Sequence, residues 1–167
     1  SVDAGTFLYV VNDSAKFNDF FGFTPDLNLI PTTNAAVGFL NGDDDIELFC
    51  NGAVVDIFGE ISHTGSGLVW YYEDGWGYRL SGTGLDGTTF RRDNWSVDRN
   101  ALDGATTNTS APAPVPLGTY DTFPACDRMI LTGVFDGPLA GGTPKGIELF
   151  VYRDISDLSL FGFGSAT

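Results

Sequence analysis

The stretch Asp45–Gly59, with the sequence DIELFCNGAVVDIFG, decides the fold of this chain. It contains two short runs of apolar and β-branched residues, Asp45–Cys50 and Ala53–Gly59, on either side of Asn51-Gly52. Asn-Gly supplies the positive φ angles of a two-residue type I′ turn, whose twist matches that of two antiparallel strands. The stretch therefore predicts a β-hairpin.

Short apolar runs between turn residues extend along most of the chain. The 22 Gly and 8 Pro residues, together with many Asn and Asp residues, are typical of an all-β protein. The other predicted strands are Thr6–Asn12, Ala35–Asn41, Leu68–Tyr72 and Trp76–Leu80 as a second hairpin, Thr88–Arg92, Trp95–Asp98, Met129–Phe135, Gly146–Tyr152 and part of Ile155–Gly164.

One segment near the start of the chain predicts a helix instead. In Ser14–Phe23, the side chains of Phe17, Phe20 and Phe21 recur at helical spacing, and Asp13 or Ser14 suits the N-cap position. The fold class that we predict is therefore an all-β sandwich with one short helix near residues 14–23.

The chain divides into three parts by composition. Residues 1–103 hold the first hairpin and most of the predicted strands, and residues 128–167 hold a second group of apolar strands. Between them, residues 104–127 contain alternating prolines and small residues without hydrophobic periodicity. This composition predicts an extended connector on the surface.

The charge of the chain excludes some partners. The sequence has 22 acidic and 8 basic residues, a net charge of −14. Such a chain repels the phosphate backbone, so we expect no direct binding of nucleic acid. Apolar runs are too short to form a membrane-spanning helix, so we expect no membrane insertion. The start at Ser1, without Met or an apolar leader, is typical of a processed or trimmed chain.

Two cysteines, Cys50 and Cys126, are present, and neither belongs to a CxxC or Cys/His metal motif. In an oxidising compartment they would pair and close a long loop, which stabilises a fold by a few kcal/mol. Two separate buried thiols are the alternative. We predict the disulfide.

Residues that serve catalysis are not evident in the sequence. His63 lies in a loop rich in Gly, Ser and Thr, and a Ser-His-Asp triad needs a buried, oriented imidazole. Paired carboxylates hydrolyse glycosides, but 22 acidic residues produce pairs by chance. The candidate glutamates are Glu47, Glu60, Glu73 and Glu148, of which Glu47 and Glu148 are expected to face outward from strands. We predict that the chain has no catalytic residues and is not an enzyme.

Three consecutive aspartates, Asp43, Asp44 and Asp45, form a candidate calcium site because Ca²⁺ prefers hard oxygen ligands. The run lacks the spacing of an EF-hand, since Val54 stands where the twelfth-position Glu would be. The alternative is that these aspartates accept hydrogen bonds within a turn. The expected cofactors are therefore none, or Ca²⁺ at this run.

Two kinds of surface site remain to be considered. The aromatic residues between positions 70 and 78 form either a binding platform or part of the core, and alternation along a strand favours the core. Asn12, Asn94 and Asn108 each begin an Asn-x-Ser sequence. Asn108 lies in the predicted connector and is the candidate for glycosylation. The sequence does not identify a ligand.

Several motifs resemble the bacterial lamin-tail-like domain, and together they cover most of the chain. They are Asn41–Leu48 (NGDDDIEL), Val55–Gly59 (VDIFG), Trp70, Asp74–Trp76, Tyr78-Arg79, Asn94-Trp95, Ala101–Gly104 (ALDG), Pro116–Tyr120 (PLGTY) and Pro144–Gly164. The resemblance implies an immunoglobulin-like sandwich of the kind appended to secreted nucleases and other surface proteins. It therefore implies an extracellular or cell-surface location.

The order of these motifs is rotated relative to the family, in which the segment like Met129–Gly164 comes first. Three explanations stay open: a permuted sandwich, a subunit completed by the strands of a neighbour, or an arbitrary division of a longer chain. In the second, donor strands fill the groove of the next subunit and propagate head to tail. The residues expected to carry that assembly are Ile130, Val134, Ile147, Leu149, Val151 and Leu158.

The function that we expect from these features is a non-catalytic extracellular structural or assembly module that associates head to tail with itself. The alternative is an accessory binding domain of a secreted nuclease or another surface protein. The two differ in whether the isolated chain forms multimers.

Overall fold

The computed structural model describes residues 1–28, 40–121 and 128–164, with the backbone alone at residues 27–28. The helix and strands are β1 Phe7–Val11, α1 Ser14–Phe21, β2 Leu27–Asn28, β3 Ile46–Cys50, β4 Ala53–Phe58, β5 Trp76–Arg79, β6 Trp95–Asp98, β7 Met129–Leu139, β8 Thr143–Val151 and β9 Phe161–Gly164. Short 3₁₀ turns lie at Arg92–Asn94, Asn108–Ser110 and Leu158–Leu160.

The strands form two sheets that pack face to face. The larger sheet has the order β2-β1-β8-β7-β5-β6, and the smaller has the order β4-β3-β9. Neighbouring strands are antiparallel except for the short parallel pair of β1 and β2. Buried side chains such as Leu48 from the smaller sheet and Ile147 and Leu149 from the larger one fill the space between them. This architecture confirms the predicted all-β sandwich.

The first hairpin and the helix have the predicted positions. Asn51 and Gly52 have φ angles of 50° and 76°, as a type I′ turn between β3 and β4 requires. The Asp13 side chain caps α1 by accepting a hydrogen bond from the Lys16 N–H at 3.0 Å. Phe17 is buried against the larger sheet. Within the described ranges, no helix is long and apolar enough to cross a membrane.

The second predicted hairpin is wrong. Residues Leu68–Tyr72 are irregular, and β5 pairs with β6 and β7 instead. The backbone of this segment forms tight turns instead, in which the Leu68 N–H donates to the Gly65 carbonyl at 2.8 Å and the Tyr71 N–H donates to the Leu68 carbonyl at 3.1 Å. The Tyr72 N–H donates to the distant Gly42 carbonyl at 2.7 Å. The bulky aromatic side chains of the segment are used for packing in the core, where Trp70 and Tyr72 are completely buried.

Three other predicted strands have different outcomes. Thr88–Arg92 is not a strand, because the carboxylate of Asp86 accepts a hydrogen bond from the Arg91 N–H at 3.0 Å and holds a turn there. Ala35–Asn41 lies almost entirely outside the described residues. Trp95–Asp98 is the strand β6, as predicted.

The C-terminal strands occupy the centre of the larger sheet. β7 pairs with β5 and β8, and β8 pairs with β7 and β1, all within the same chain. The side chains of Ile130, Val134, Ile147 and Val151 have no exposed surface, and Leu149 is buried, whereas Leu158 is only partly buried. Residues 128–164 therefore complete the sandwich formed by residues 1–28 and 40–121 of their own chain.

The Pro-rich segment lies closer to the sheet than an extended connector would. Ala105, Ala111 and Val115 are buried against the outer face of the larger sheet, and the Trp76 indole N–H donates to the Ala113 carbonyl at 2.9 Å. We call residues 105–121 the strap; residues 122–127 lie outside the described part.

Candidate functional site

Four carboxylates in the interior are the first candidates for chemistry, because a buried charge needs a structural or functional reason. They belong to Asp56, Asp86, Asp136 and Glu148, each at most 5% exposed; two further buried carboxylates, Asp44 and Asp45, belong to the run of three aspartates described below. The hydrogen-bond partners of the four are distributed over three networks.

The first network joins the two sheets through Arg79. The guanidinium donates two hydrogen bonds to Asp56 at 2.8 and 2.9 Å and one to the Leu131 carbonyl at 2.7 Å. It also lies 4.3 Å from the centre of the Trp95 ring. Burial raises the pKa of Asp56 to about 6, although the charge of Arg79 opposes the shift. The Leu131 N–H donates to Asp56 as well, so this carboxylate bridges β4 with β5 and β7.

Asp86 extends this network into the loop after β5. Its oxygens accept hydrogen bonds from the Asn94 side-chain amide at 2.5 Å, the Trp95 indole at 3.1 Å and Arg79 at 3.3 Å. All of these donors belong to the same chain. The carboxylate therefore has a structural role in holding the loop against β6.

The second network fastens the strap to the sheet. Glu148 accepts hydrogen bonds from the Tyr78 hydroxyl at 2.8 Å, the Thr132 hydroxyl at 2.7 Å and the Gly118 N–H at 2.7 Å. The Tyr78 hydroxyl accepts in turn from the N–H groups of Thr119 and Tyr120, both at 3.1 Å. Burial raises the pKa of Glu148. This arrangement explains why the segment Pro116–Tyr120 lies where it does.

The third network holds the end of the β7–β8 hairpin. The Lys145 ammonium donates to Asp136 at 2.9 Å and to the Leu40 carbonyl, while the Asp74 N–H donates to the other oxygen of Asp136 at 3.4 Å. Burial raises the pKa of Asp136 to about 6, although the charge of the nearby Lys145 opposes the shift. The pair ties two loops to the hairpin.

The four buried carboxylates do not line three of the cavities of the described structure. Cavities of about 220, 80 and 270 Å³ are lined by residues other than the four buried carboxylates. A general acid or base must reach the proton that it transfers, either directly or through one water molecule. The four carboxylates bond instead to their own chain.

Two of the sequence-derived catalytic candidates, His63 and Glu60, lie in one turn, where the His63 N–H donates to the Glu60 carbonyl at 3.2 Å. His63 is exposed, and its Nδ1 lies 3.2 Å from the Ile61 carbonyl. Glu60 is exposed, and Glu47 is partly buried on β3. The expectation that Glu148 faces outward is wrong, because the strap covers the face of β8 on which it lies.

The three consecutive aspartates bond to neighbouring loops. Asp44 accepts from the Asn41 N–H at 2.7 Å, and Asp43 accepts from the Thr64 hydroxyl at 2.9 Å. Asp45 has no exposed surface. Among the residues that the structure describes, no group of three or more His, Cys, Asp or Glu side chains is arranged to hold a metal ion. The geometry therefore favours the turn alternative for this run.

The two cysteines can be placed only in part. Cys50 is partly buried at the end of β3 and lines the cavity of about 220 Å³ together with Arg128. Cys126, two positions before Arg128 in the sequence, lies outside the described residues. The disulfide between Cys50 and Cys126 stays a prediction.

The candidate surface residues are largely engaged within the chain. Trp70, Tyr72, Trp76 and Tyr78 are buried, which favours the core alternative over a binding platform. The Asn108 side chain forms two hydrogen bonds with the backbone of Val115, donating at 3.0 Å and accepting at 2.8 Å. Glycosylation would replace one of the two hydrogens on the Asn108 amide nitrogen, the atom that donates the first of these bonds.

The family resemblance has no independent support from known proteins. Comparison with protein-family models, with curated proteins and with solved structures finds no significant match. The lamin-tail-like assignment therefore stays a prediction based on the motifs, and the functional interpretation depends on the geometry of this chain.

Proposed function

We propose that this chain is a non-catalytic structural module of an extracellular protein and that it associates with other copies of itself. One observation carries the non-catalytic part of the proposal. Asp56, Asp86, Asp136 and Glu148 each accept hydrogen bonds from several segments of the same chain, so their role is to hold the sandwich together.

The positions of the C-terminal strands bear on whether copies would associate by exchanging strands or through their surfaces. Donor-strand exchange, which the motif order suggests, would have to move β7 and β8 from the centre of one sheet into the centre of another. That step breaks the pairing of β8 with β1 and of β7 with β5 before the same pairing forms in the neighbour. We therefore propose that the chain keeps these strands in its own sandwich and associates through its surface.

Sedimentation velocity at increasing protein concentration tests the association. We expect species larger than the 17.9 kDa monomer, in proportions that increase with concentration. A monomer at every concentration and at physiological salt would contradict the association. The non-catalytic part is tested separately with polysaccharide and nucleic-acid substrates. Hydrolysis that is lost in Glu148→Gln or Asp86→Asn, with the fold retained, would contradict it.

A further inference from the structure

Two Asn-Gly pairs of this chain lie in contrasting environments. Asn51-Gly52 forms the turn of the β3–β4 hairpin, and Asn41-Gly42 lies in the loop before β3. In such a pair the backbone nitrogen of glycine can attack the side-chain carbonyl carbon of asparagine, because glycine has no side chain to obstruct the approach. The molecule therefore offers the same reactive dipeptide twice, and only its surroundings differ.

The Asn51-Gly52 pair is open to solvent, and both residues are exposed. Apart from its chain neighbours, no heavy atom of the described residues lies within 4 Å of the position that a Cβ on Gly52 would take. The Gly52 N–H donates none of the hydrogen bonds among those residues. The Asn51 amide nitrogen makes one long contact, to the Cys50 sulfur at 3.7 Å. The Asn51 side chain is therefore free to turn toward the Gly52 nitrogen.

The Asn41-Gly42 pair is held on both sides. Gly42 is buried, and a Cβ there would overlap the backbone of Glu73. The Asn41 N–H donates to the Asp44 carboxylate at 2.7 Å, and the Asn41 side-chain oxygen accepts from the Asp43 N–H at 3.5 Å. Attack by the Gly42 nitrogen would require this loop to open first, and local opening costs free energy.

We propose that Asn51 is a site of spontaneous deamidation and that the fold protects Asn41 from the same reaction. The Gly52 nitrogen gives up its proton to solvent and bonds to the Asn51 Cγ, and the side-chain nitrogen of Asn51 leaves as ammonia. Water then opens the resulting succinimide ring. Opening at the Cγ–N bond gives aspartate, and opening at the original peptide bond gives isoaspartate, in which the backbone runs through the side chain.

The reaction changes both the charge and the backbone of the turn. At neutral pH either product adds one negative charge to a chain whose net charge is −14. Isoaspartate also adds one carbon atom to the backbone between β3 and β4. Because the Asn51 N–H donates to the Leu160 carbonyl at 2.8 Å, a distorted turn also disturbs the segment before β9. The inference does not depend on the proposed self-association.

Peptide mass spectrometry of the folded chain, incubated at mildly alkaline pH, follows both asparagines in one sample. The peptide that contains Asn51 should become heavier by the difference between a hydroxyl group and an NH₂ group. We expect this change at least about tenfold faster than in the peptide that contains Asn41, which reacts only after local opening. In concentrated urea the two positions should react at similar rates, because each asparagine is then followed by an unprotected glycine.

Two substitutions identify the attacking nitrogen. Gly52→Ala places a methyl group beside that nitrogen and should slow the reaction at Asn51, although it also strains the turn. Gly84→Ala, at a glycine that also has open space, is the matched control and should leave the rate unchanged. Asn51→Asp carries one of the products from the start and should show no gain in mass at position 51.

Three outcomes would overturn the proposal. Equal rates at the two positions in the folded chain, or a faster reaction at Asn41, would show that the fold does not select Asn51. An Asn51 that stays unchanged in the folded chain but reacts in urea would show that the hairpin holds its side chain away from the Gly52 nitrogen. A rate in Gly52→Ala equal to that of the wild type would contradict attack by this nitrogen.

Discussion

Among single residues, Arg79 makes contacts to both sheets through one guanidinium group. Asp56 and Arg79 are 23 positions apart and lie in different sheets, so no local pattern of the sequence identifies their pairing. The same is true of Glu148 and Gly118, which are 30 positions apart. Sequence reasoning finds these residues as part of motifs, but their roles require the three-dimensional structure because the contacts are long-range.

We expect Asp56→Ala to destabilise the fold by about 3–5 kcal/mol, because the substitution leaves the buried charge of Arg79 with much less compensation. Urea unfolding followed by tryptophan fluorescence gives the free energy of unfolding. Asp3→Ala is the control, since Asp3 is exposed. A loss for Asp56→Ala that is no greater than that of the control would show that the network is not important for stability.

The disulfide is a second prediction about single residues. Cys50 is partly buried at the end of β3, and oxidation would link it to Cys126. We expect the intact mass of protein purified under oxidising conditions to be lower than the reduced mass by that of two hydrogen atoms. Alkylation of both cysteines without prior reduction would contradict the pairing.

Among the structural elements, the first hairpin and α1 were predictable because their signals are local. The Asn51-Gly52 turn and the Asp13 cap each depend on residues within a few positions of one another. The second predicted hairpin is wrong because the backbone of Leu68–Tyr72 forms turns and a bond to distant Gly42, which its apolar pattern does not reveal. The composition of the strap predicts an exposed connector because its alanines and prolines carry no periodic apolar signal, but Ala105 and Ala111 are buried.

The turn of the first hairpin permits a test with a matched control. Gly52 has a φ of 76° and open space around its Cα, so Gly52→Ala introduces backbone strain without a clash. We expect a loss of about 1–2 kcal/mol in the free energy of unfolding. Gly84 also has open space but lacks a positive φ, and Gly84→Ala should change the stability much less. Equal losses of unfolding free energy for the two substitutions would contradict the idea that the positive φ at Gly52 causes backbone strain.

The attachment of the strap is tested at Glu148. The Gly118 N–H donates to one carboxylate oxygen, and the hydroxyl groups of Tyr78 and Thr132 donate to the other. Glu148→Gln replaces one acceptor oxygen with an NH₂ donor and should cost about 1–3 kcal/mol. Hydrogen exchange should increase at residues 116–120 more than in β7. Unchanged exchange there would mean that other contacts hold the strap, and Glu47→Gln on β3 serves as the control.

For the whole molecule, the buried carboxylates determine how stability responds to pH. Burial raises the pKa of Asp56 and of Asp136 to about 6, from 3.8, and also raises that of Glu148. The folded state therefore binds protons more tightly than the unfolded state between pH 3.8 and about 6. Stability must fall as the pH rises through this range, because the unfolded state then binds fewer protons.

We accordingly expect urea unfolding to give a larger free energy at about pH 5 than at about pH 7.5, at constant ionic strength. Asp136→Asn removes one of the titrating groups while its side-chain oxygen still accepts from Lys145, so this variant should show a weaker pH dependence even if it is less stable overall. Asp3→Asn should retain the wild-type dependence. A free energy of unfolding that increases from pH 5 to pH 7.5 would contradict this expectation. It would mean that Arg79 and Lys145 stabilise the charged carboxylates enough to compensate for the cost of burying them.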